Sequence, residues 1–245
     1  MTFYAGNATL IAANDVKKQL AEVAANYFEE RMDNIVFQNK KVFPKGSPER
    51  YLAFSELAKM TESLGGGRLI VGKGYWAPPN TQFPDRKTQY GNVSGAYGFS
   101  CQVAEVKVDP DTGQVKVLKV TIGDDCGQVI NVLGVEGQVE GSVVMGIGHA
   151  LTENLIFGEN GQVLNPSFQE YKMPTAKDAC DVVSLEVGSP DPIGPYGAKE
   201  IGEGLLISTV PAITNAIYDA IGVRITELPV TPEKILEELE KKRKG

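Results

Sequence analysis

Apolar residues recur near helical spacing at the start of the chain: Leu10, Ile11, Val16, Leu20, Val23, Ala24 and Phe28 predict a helix over 7–32. The pattern then shortens. Ile35-Val36-Phe37 and Lys41-Val42-Phe43 flank a polar turn and predict a hairpin that Pro44 ends. Ser47-Pro48-Glu49 sets an N-cap residue before a proline, a helix start signal, and predicts a helix over about 50–63 closed by Gly65-Gly66-Gly67. Residues 72–99 are rich in Gly, Pro, Asn and aromatics and show no periodicity. A loop that long within a compact domain is functional or is covered by something else.

Alternation returns further on. Val103, Val106 and Val108 lead into Asp109-Pro110-Asp111-Thr112-Gly113, and Val115, Val117, Val120 and Ile122 lead out, so a second hairpin is predicted. Asp124-Asp125-Cys126-Gly127 ends it. Residues 136–153 have helical length, 182–188 read as a strand, and 205–221 as a helix entered at or near Pro211. A last helix over 232–242 is capped by Thr231-Pro232-Glu233. Helices and antiparallel hairpins in irregular order indicate an α+β chain. It divides into a helix–hairpin–helix part with its long loop, 1–95, and a second α+β part, 96–245.

Glycine is placed where it costs. The 136–153 segment holds Gly137, Gly141, Gly146 and Gly148, each about 1 kcal/mol worse than alanine within a helix. Close approach of another backbone or of a cofactor is the expected reason. A membrane dimer motif does not fit, because Glu136, Glu140 and Glu153 flank or interrupt the segment. The stretch Gly194-Pro195-Tyr196-Gly197-Ala198-Lys199-Glu200-Ile201-Gly202-Glu203-Gly204 places Glu203 between two glycines before an apolar helix. Bare backbone lets a ligand come close, and the helix start presents free N–H groups and partial positive charge. Glu203 is then either a working carboxylate or a plain partner of the helix dipole. The residues alone leave both open.

Composition narrows the function classes. Of 245 residues, 42% are apolar and 22% charged, which fits a folded chain, and the formal charge is −7. An acidic balance argues against nucleic acid, which needs a basic face; the run Lys241-Lys242-Arg243-Lys244 reads as a solvated end. No apolar run is read as approaching the ~18 residues of a membrane span, and the start lacks a basic signal region, so a cytoplasmic location is expected. Cys101, Cys126 and Cys180 read as reduced structural thiols. With one histidine, His149, taken as a satisfied structural residue, the chain offers neither a zinc site nor an iron–sulfur cluster. Any metal must arrive inside a cofactor or from another chain.

Several stretches together resemble the C-terminal part of the molybdopterin-binding subunit of the xanthine dehydrogenase (molybdenum hydroxylase) family. They are Ala104 to Gly113, Asp125-Cys126-Gly127-Gln128-Val129-Ile130-Asn131, Glu136-Gly137-Gln138-Val139-Glu140-Gly141 through Met145 to Leu151, Tyr171-Lys172-Met173-Pro174-Thr175, Gly197 to Gly204, and Leu228 to Glu233. Each piece is weak alone; their order and spacing are specific, most densely over about 97–236. By this resemblance Glu203 matches the family's active-site glutamate beside molybdenum, and Gln138 matches the glutamine that contacts the pyranopterin. A glutamine on the helix surface is the plainer reading of Gln138. Lys199 and Gly202 fall on the wall of the same site.

The family's complete subunit is considerably longer, and residues 1–30 look like the segment just after a molybdenum-binding loop. The chain therefore resembles a split subunit of the nicotinate dehydrogenase type. That implies molybdopterin with Mo, as the cytosine dinucleotide, shared with a large molybdopterin-binding partner subunit, and [2Fe-2S] clusters and FAD on further subunits. The implied reaction is hydroxylation of an electron-poor carbon of an N-heteroaromatic (nicotinate- or purine-like) or aldehyde substrate, using water and Glu203 as general base in an apolar, glycine-lined pocket. Glu200 and Gly204 stand where xanthine-oxidising members carry small and proline residues, a form closer to the 4-hydroxybenzoyl-CoA reductase branch. Reductive dehydroxylation of an aromatic acyl-CoA, or a non-catalytic bracing role in the same complex, are the alternatives.

Overall fold

The computed structural model describes residues 1–62 and 69–244. They form two compact units, Met1–Gly95 and Ala96–Gly245. The predicted triple-glycine stop at 65–67 lies outside the described residues.

In the first unit, helix α1 spans Thr2–Phe28, starting earlier and ending sooner than 7–32. It starts early because Phe3 is buried and meets the Trp76 ring edge-on at 5.1 Å between centroids. It stops because Glu29 turns left-handed at φ 56, its N–H bonding Ala25 O. Strands β1 (Ile35–Gln38) and β2 (Lys41–Pro44) form the expected hairpin, and β3 (Leu52–Ala53) adds to β2. Helix α2 covers Phe54–Met60 rather than 50–63. Its start is fixed by Glu56, whose carboxylate accepts from Ala53 N at 2.8 Å, and not by Ser47-Pro48. Ser47 forms a turn instead, its N–H on Pro44 O and its carbonyl accepting from Arg50 N. Leu52 would be wasted in a solvated first turn; as strand it joins Phe28, Val42 and Leu57 in this unit's core.

Residues 72–99 hold neither helix nor strand. The loop's first part is covered by α1: Asp15 Oδ2 accepts from Lys73 N at 3.0 Å, and Gln19 Nε2 donates to Val71 O at 2.9 Å.

In the second unit, β4 (Ser100–Val108) and β5 (Val115–Asp124) pair antiparallel. Their turn is closed by Asp109 Oδ1, which accepts from Asp111 N and Thr112 N. Strand β6 (Asp181–Glu186) pairs parallel to β5, so the sheet is mixed where antiparallel hairpins alone were expected. A parallel return needs a long crossover, and residues 125–180 provide one that includes helix α3, Val132–Leu151. The α3 helix starts before 136 because Asn131 Oδ1 caps it, accepting from Gly134 N at 3.1 Å. Helix α4 spans Glu203–Ile221 with Pro211 inside it, not at its start. An internal proline costs about 3 kcal/mol. Burying Leu205, Ile213 and Ile217 contributes about 1.5–3 kcal/mol each and outweighs that cost. Helix α5 covers Pro232–Lys244, and Thr231 Oγ1 accepts from Lys234 N as expected of its cap.

The core of this unit lies between the sheet and the two long helices: Val117, Val120 and Ile122 face Val139, Val143 and Ile147 of α3 and the buried row of α4. By length and composition α4, at 19 residues and mean hydropathy 1.3, could cross a membrane, contrary to the expectation that no run approached that length. Here its Leu205, Thr209, Ile213 and Ile217 row is packed inside the unit.

Candidate functional site

The lead-in to α4 is pinned to the end of β5. A single turn of 3-10 helix, Pro195–Gly197, exposes Gly197 O, which accepts from Gln128 N at 2.8 Å and Asp191 N at 2.9 Å. Gly127 and Ala198 form an isolated antiparallel bridge, and Lys199 N donates to Cys126 O at 2.7 Å. From there the chain needs three residues to reach the helix.

Gly202 makes the final turn. Its φ of 151° and ψ of −106° are open only to glycine, so any side chain there would be strained. Glu203 is therefore the first residue of α4, where the free N–H groups and helix dipole favour negative charge. Its side chain is exposed in this chain, so the apolar surroundings expected of it are not built from these residues. Gln138, exposed on α3, comes to the same place: its Oε1 lies 3.7 Å from where a Cβ on Gly202 would stand. Three of the four sequence-derived site residues thus meet at the junction of α3 with the start of α4. Ser142 Oγ donates to Gly202 O, Ser100 Oγ donates to Gly204 O, and Gln102 Nε2 donates to Leu205 O, which fastens the first turn from below.

The fourth, Lys199, points elsewhere. Its ammonium pairs with Asp125 Oδ2 at 2.5 Å and donates to Tyr97 O at 3.2 Å; the two charged side chains are only 13% and 15% exposed. Beside this pair, Asp124 is buried and its Oδ2 has no hydrogen-bond partner. Burial pushes the Asp124 carboxyl up to about 6, and the neighbouring Asp125 charge adds to the rise while the Asp125 N–H and Lys199 oppose it. Burial, with the Asp124 charge, also pushes the Cys126 thiol up, consistent with an unreactive structural cysteine.

Four of the five glycines of α3, those at 137, 141, 146 and 148, divide by partner. Gly146 is where α4 comes close: an added Cβ would lie 2.5 Å from Thr209 Cβ. Gly148 faces Glu153 and Pro174, while Gly137 and Gly141 have nothing within 4 Å. Packing within the unit accounts for two of them, and the other two leave bare backbone facing outward. His149, taken as a satisfied structural residue, is exposed on the last turn of α3. Asp124 and Asp125 are the residues that motif reading missed. The available signal was two adjacent acids at a strand end and one lysine in the glycine-rich stretch.

Residues 1–180 match the family described as the molybdopterin cofactor-binding domain. The chain is 30% identical over 241 residues to the probable hypoxanthine oxidase XdhD of Escherichia coli (strain K12), which covers 98% of this chain and 24% of that protein. It is 32% identical over 235 residues to the nicotine 6-hydroxylase large subunit of Paenarthrobacter nicotinovorans, covering 95% of this chain and 28% of that one. Among solved structures, the Cu,Mo-CO dehydrogenase superposes with a TM-score of 0.78 at 27% identity, over 97% of this chain and 29% of its own. The chain spans about a quarter of the length of the two curated relatives.

Proposed function

This chain belongs to the molybdopterin cofactor-binding domain family, and from that premise we propose that it supplies one wall and the general base of a molybdenum hydroxylase site. The observation that carries the reading is Glu203 standing at the N-terminus of α4, beside the bare backbone of Gly202 and the Gln138 amide. The donor set suits the cofactor. Gln138 offers an amide that both donates and accepts toward a pterin edge. Gly137, Gly141 and Gly204, with open space at their Cβ positions, let a flat ligand approach the backbone.

When bound, the molybdenum cofactor accepts the two electrons released as the substrate's C–H and water become C–OH and two protons. Glu203 takes the proton that the water-derived oxygen gives up as it bonds to the substrate carbon. Such a base contributes about 10²–10⁴ in rate. The free N–H groups of the helix N-terminus lie beside it, and Gly202 keeps its approach clear. Gln138 orients the cofactor and Gly202 completes the wall, while Lys199, expected on that wall, is turned away to Asp125 and Tyr97 O.

The substrate proposed is an N-heteroaromatic ring with an electron-poor carbon. The names of the nicotine hydroxylase and of the probable hypoxanthine oxidase support that class. A larger assembly is proposed as well: a large molybdopterin-binding partner, an iron–sulfur subunit and an FAD subunit, with the cofactor as its cytosine dinucleotide. That the nicotine 6-hydroxylase relative is named as a large subunit supports the existence of further subunits.

In the assembled complex, Glu203→Gln is expected to retain molybdenum and all subunits while turnover falls by about 10²–10⁴. Wild-type turnover with full molybdenum occupancy would remove Glu203 from the reaction.

A further inference from the structure

We propose that Asp125 is a positioning residue for Glu203, acting through its ion pair with Lys199 to fix the segment from which α4 departs. The proposal rests on the reading of Glu203 as the base. Asp125 sits at the point where four pieces of this unit meet. Its N–H donates to Phe99 O, ahead of β4, and its Oδ1 accepts from Gly127 N at 3.2 Å. Its Oδ2 holds Lys199 at 2.5 Å, and Lys199 also donates to Tyr97 O. Past the end of β6, a Cβ on Gly188 would lie 2.1 Å from Asp125 Oδ1, so the carboxylate is closed in on that side.

The pair differs in kind from the other charge pairs among the described residues. Lys241–Glu238 and Lys244–Glu240 also reach 2.5 Å, but their side chains are 36–72% exposed. Exposed pairs contribute little, whereas removing one partner of a largely buried pair leaves an uncompensated charge. Lys199 is thus anchored where its neighbours cannot wander.

Anchoring matters here because the link from Lys199 to the helix ends on a glycine. Between Lys199 and Glu203 lie Glu200, Ile201 and Gly202, and the last of these is the residue type with the widest choice of backbone conformations. The first turn of a helix lacks internal acceptors for its N–H groups and frays first. Within that turn Ser100 and Gln102 hold the Gly204 and Leu205 carbonyls, and just before it Ser142 holds Gly202 O. On its N-terminal side Ile201 packs against the core of this unit, and Lys199 is the charged anchor behind it. Removing the Asp125 charge frees Lys199 and lets Gly202 sample other conformations, and the Glu203 carboxylate then spends less time at its working position.

The test uses the assembled, molybdenum-loaded complex. Asp125→Asn should lower kcat about 10- to 100-fold, the scale of a misplacement near 1 Å, with KM and molybdenum content unchanged. Hydrogen–deuterium exchange should quicken across 197–205 and stay unchanged in β5. In a Glu203→Gln background, Asp125→Asn should lower the residual turnover no further, since both act on one group. Wild-type kcat in Asp125→Asn, an equal fold loss in both backgrounds, or unchanged exchange at 197–205 would each overturn the proposal. Should Asp125→Asn assemble poorly, Lys199→Gln carries the same expectations and the same refutations. Failure of the underlying reading shows separately, as wild-type turnover from Glu203→Gln alone, and ends both.

Discussion

The amide oxygen of Gln138, on α3, stands 3.7 Å from the empty Cβ position of Gly202, the residue that turns the chain into α4. That is ordinary van der Waals distance, so an alanine at 202 would touch Gln138 without clashing. Its cost would come from the backbone, whose φ of 151° an alanine avoids.

Gly202→Ala is therefore expected to destabilise the chain by about 1–3 kcal/mol, the usual range for a residue forced into such a region. Thermal unfolding measures it. The Gln138→Ala partner change should not relieve the loss, because strain and not contact is its origin; relief would show that the contact was the cause.

The two outward glycines and the two packed ones make opposite predictions. Gly141→Ala meets nothing within 4 Å, so it should raise the stability of the full chain by about 0.5–1 kcal/mol through helix propensity. Gly146→Ala places a methyl 2.5 Å from Thr209 Cβ and Cγ2, so it should destabilise by about 1–3 kcal/mol through overpacking. Denaturant titration of both variants gives the comparison. If Gly141 also leaves room for the cofactor, its alanine variant should load less molybdenum in the complex even as the chain grows more stable.

Asp124 predicts a pH dependence of stability. Its carboxyl titrates near 3.8 in an ordinary setting and near 6 when folded, so between those values the native chain holds a proton that the unfolded chain has released. Raising the pH through that window favours unfolding. This group's contribution is intact below 3.8 and is lost by about pH 6. Asp124→Asn removes the titration, so above that window the variant should unfold about 2–4 °C higher, on the order of 1 kcal/mol. Below pH about 4 the two proteins should converge. A pH-independent difference would assign the effect to packing.

The chain's one tryptophan gives a local probe of the first unit. Phe3 is 1% exposed and packs against Trp76. Phe3→Ala should cost about 3–5 kcal/mol, as buried Phe→Ala changes do, and shift Trp76 emission to the red as water reaches the ring. Emission identical to the unaltered chain would mean that Trp76 is held by other contacts.

Elements whose signals are local were legible in the residues. The β4–β5 hairpin needs little more than alternating valines and an aspartate that bonds the next backbone amides, and both lie within a few positions of each other. The caps of α3 and α5 at Asn131 and Thr231 are equally local, though only the second was read. The glycines flanking Glu203, and the match of Glu203 and Gln138 to a family pattern, are likewise properties of the linear chain.

Features that depended on distant partners could be decided only by tertiary structure. The start of α1 at Thr2 follows from Phe3 finding Trp76, and the parallel placement of β6 follows from the crossover that carries α3. Gly146 and Gly141 look alike in the sequence until α4 is laid beside one and not the other. Lys199 and Asp125 are 74 residues apart. Their ion pair, like the meeting of Gln138 with Gly202, exists because burial of the apolar rows of β5, α3 and α4 brings those segments together, and no local preference encodes that distance.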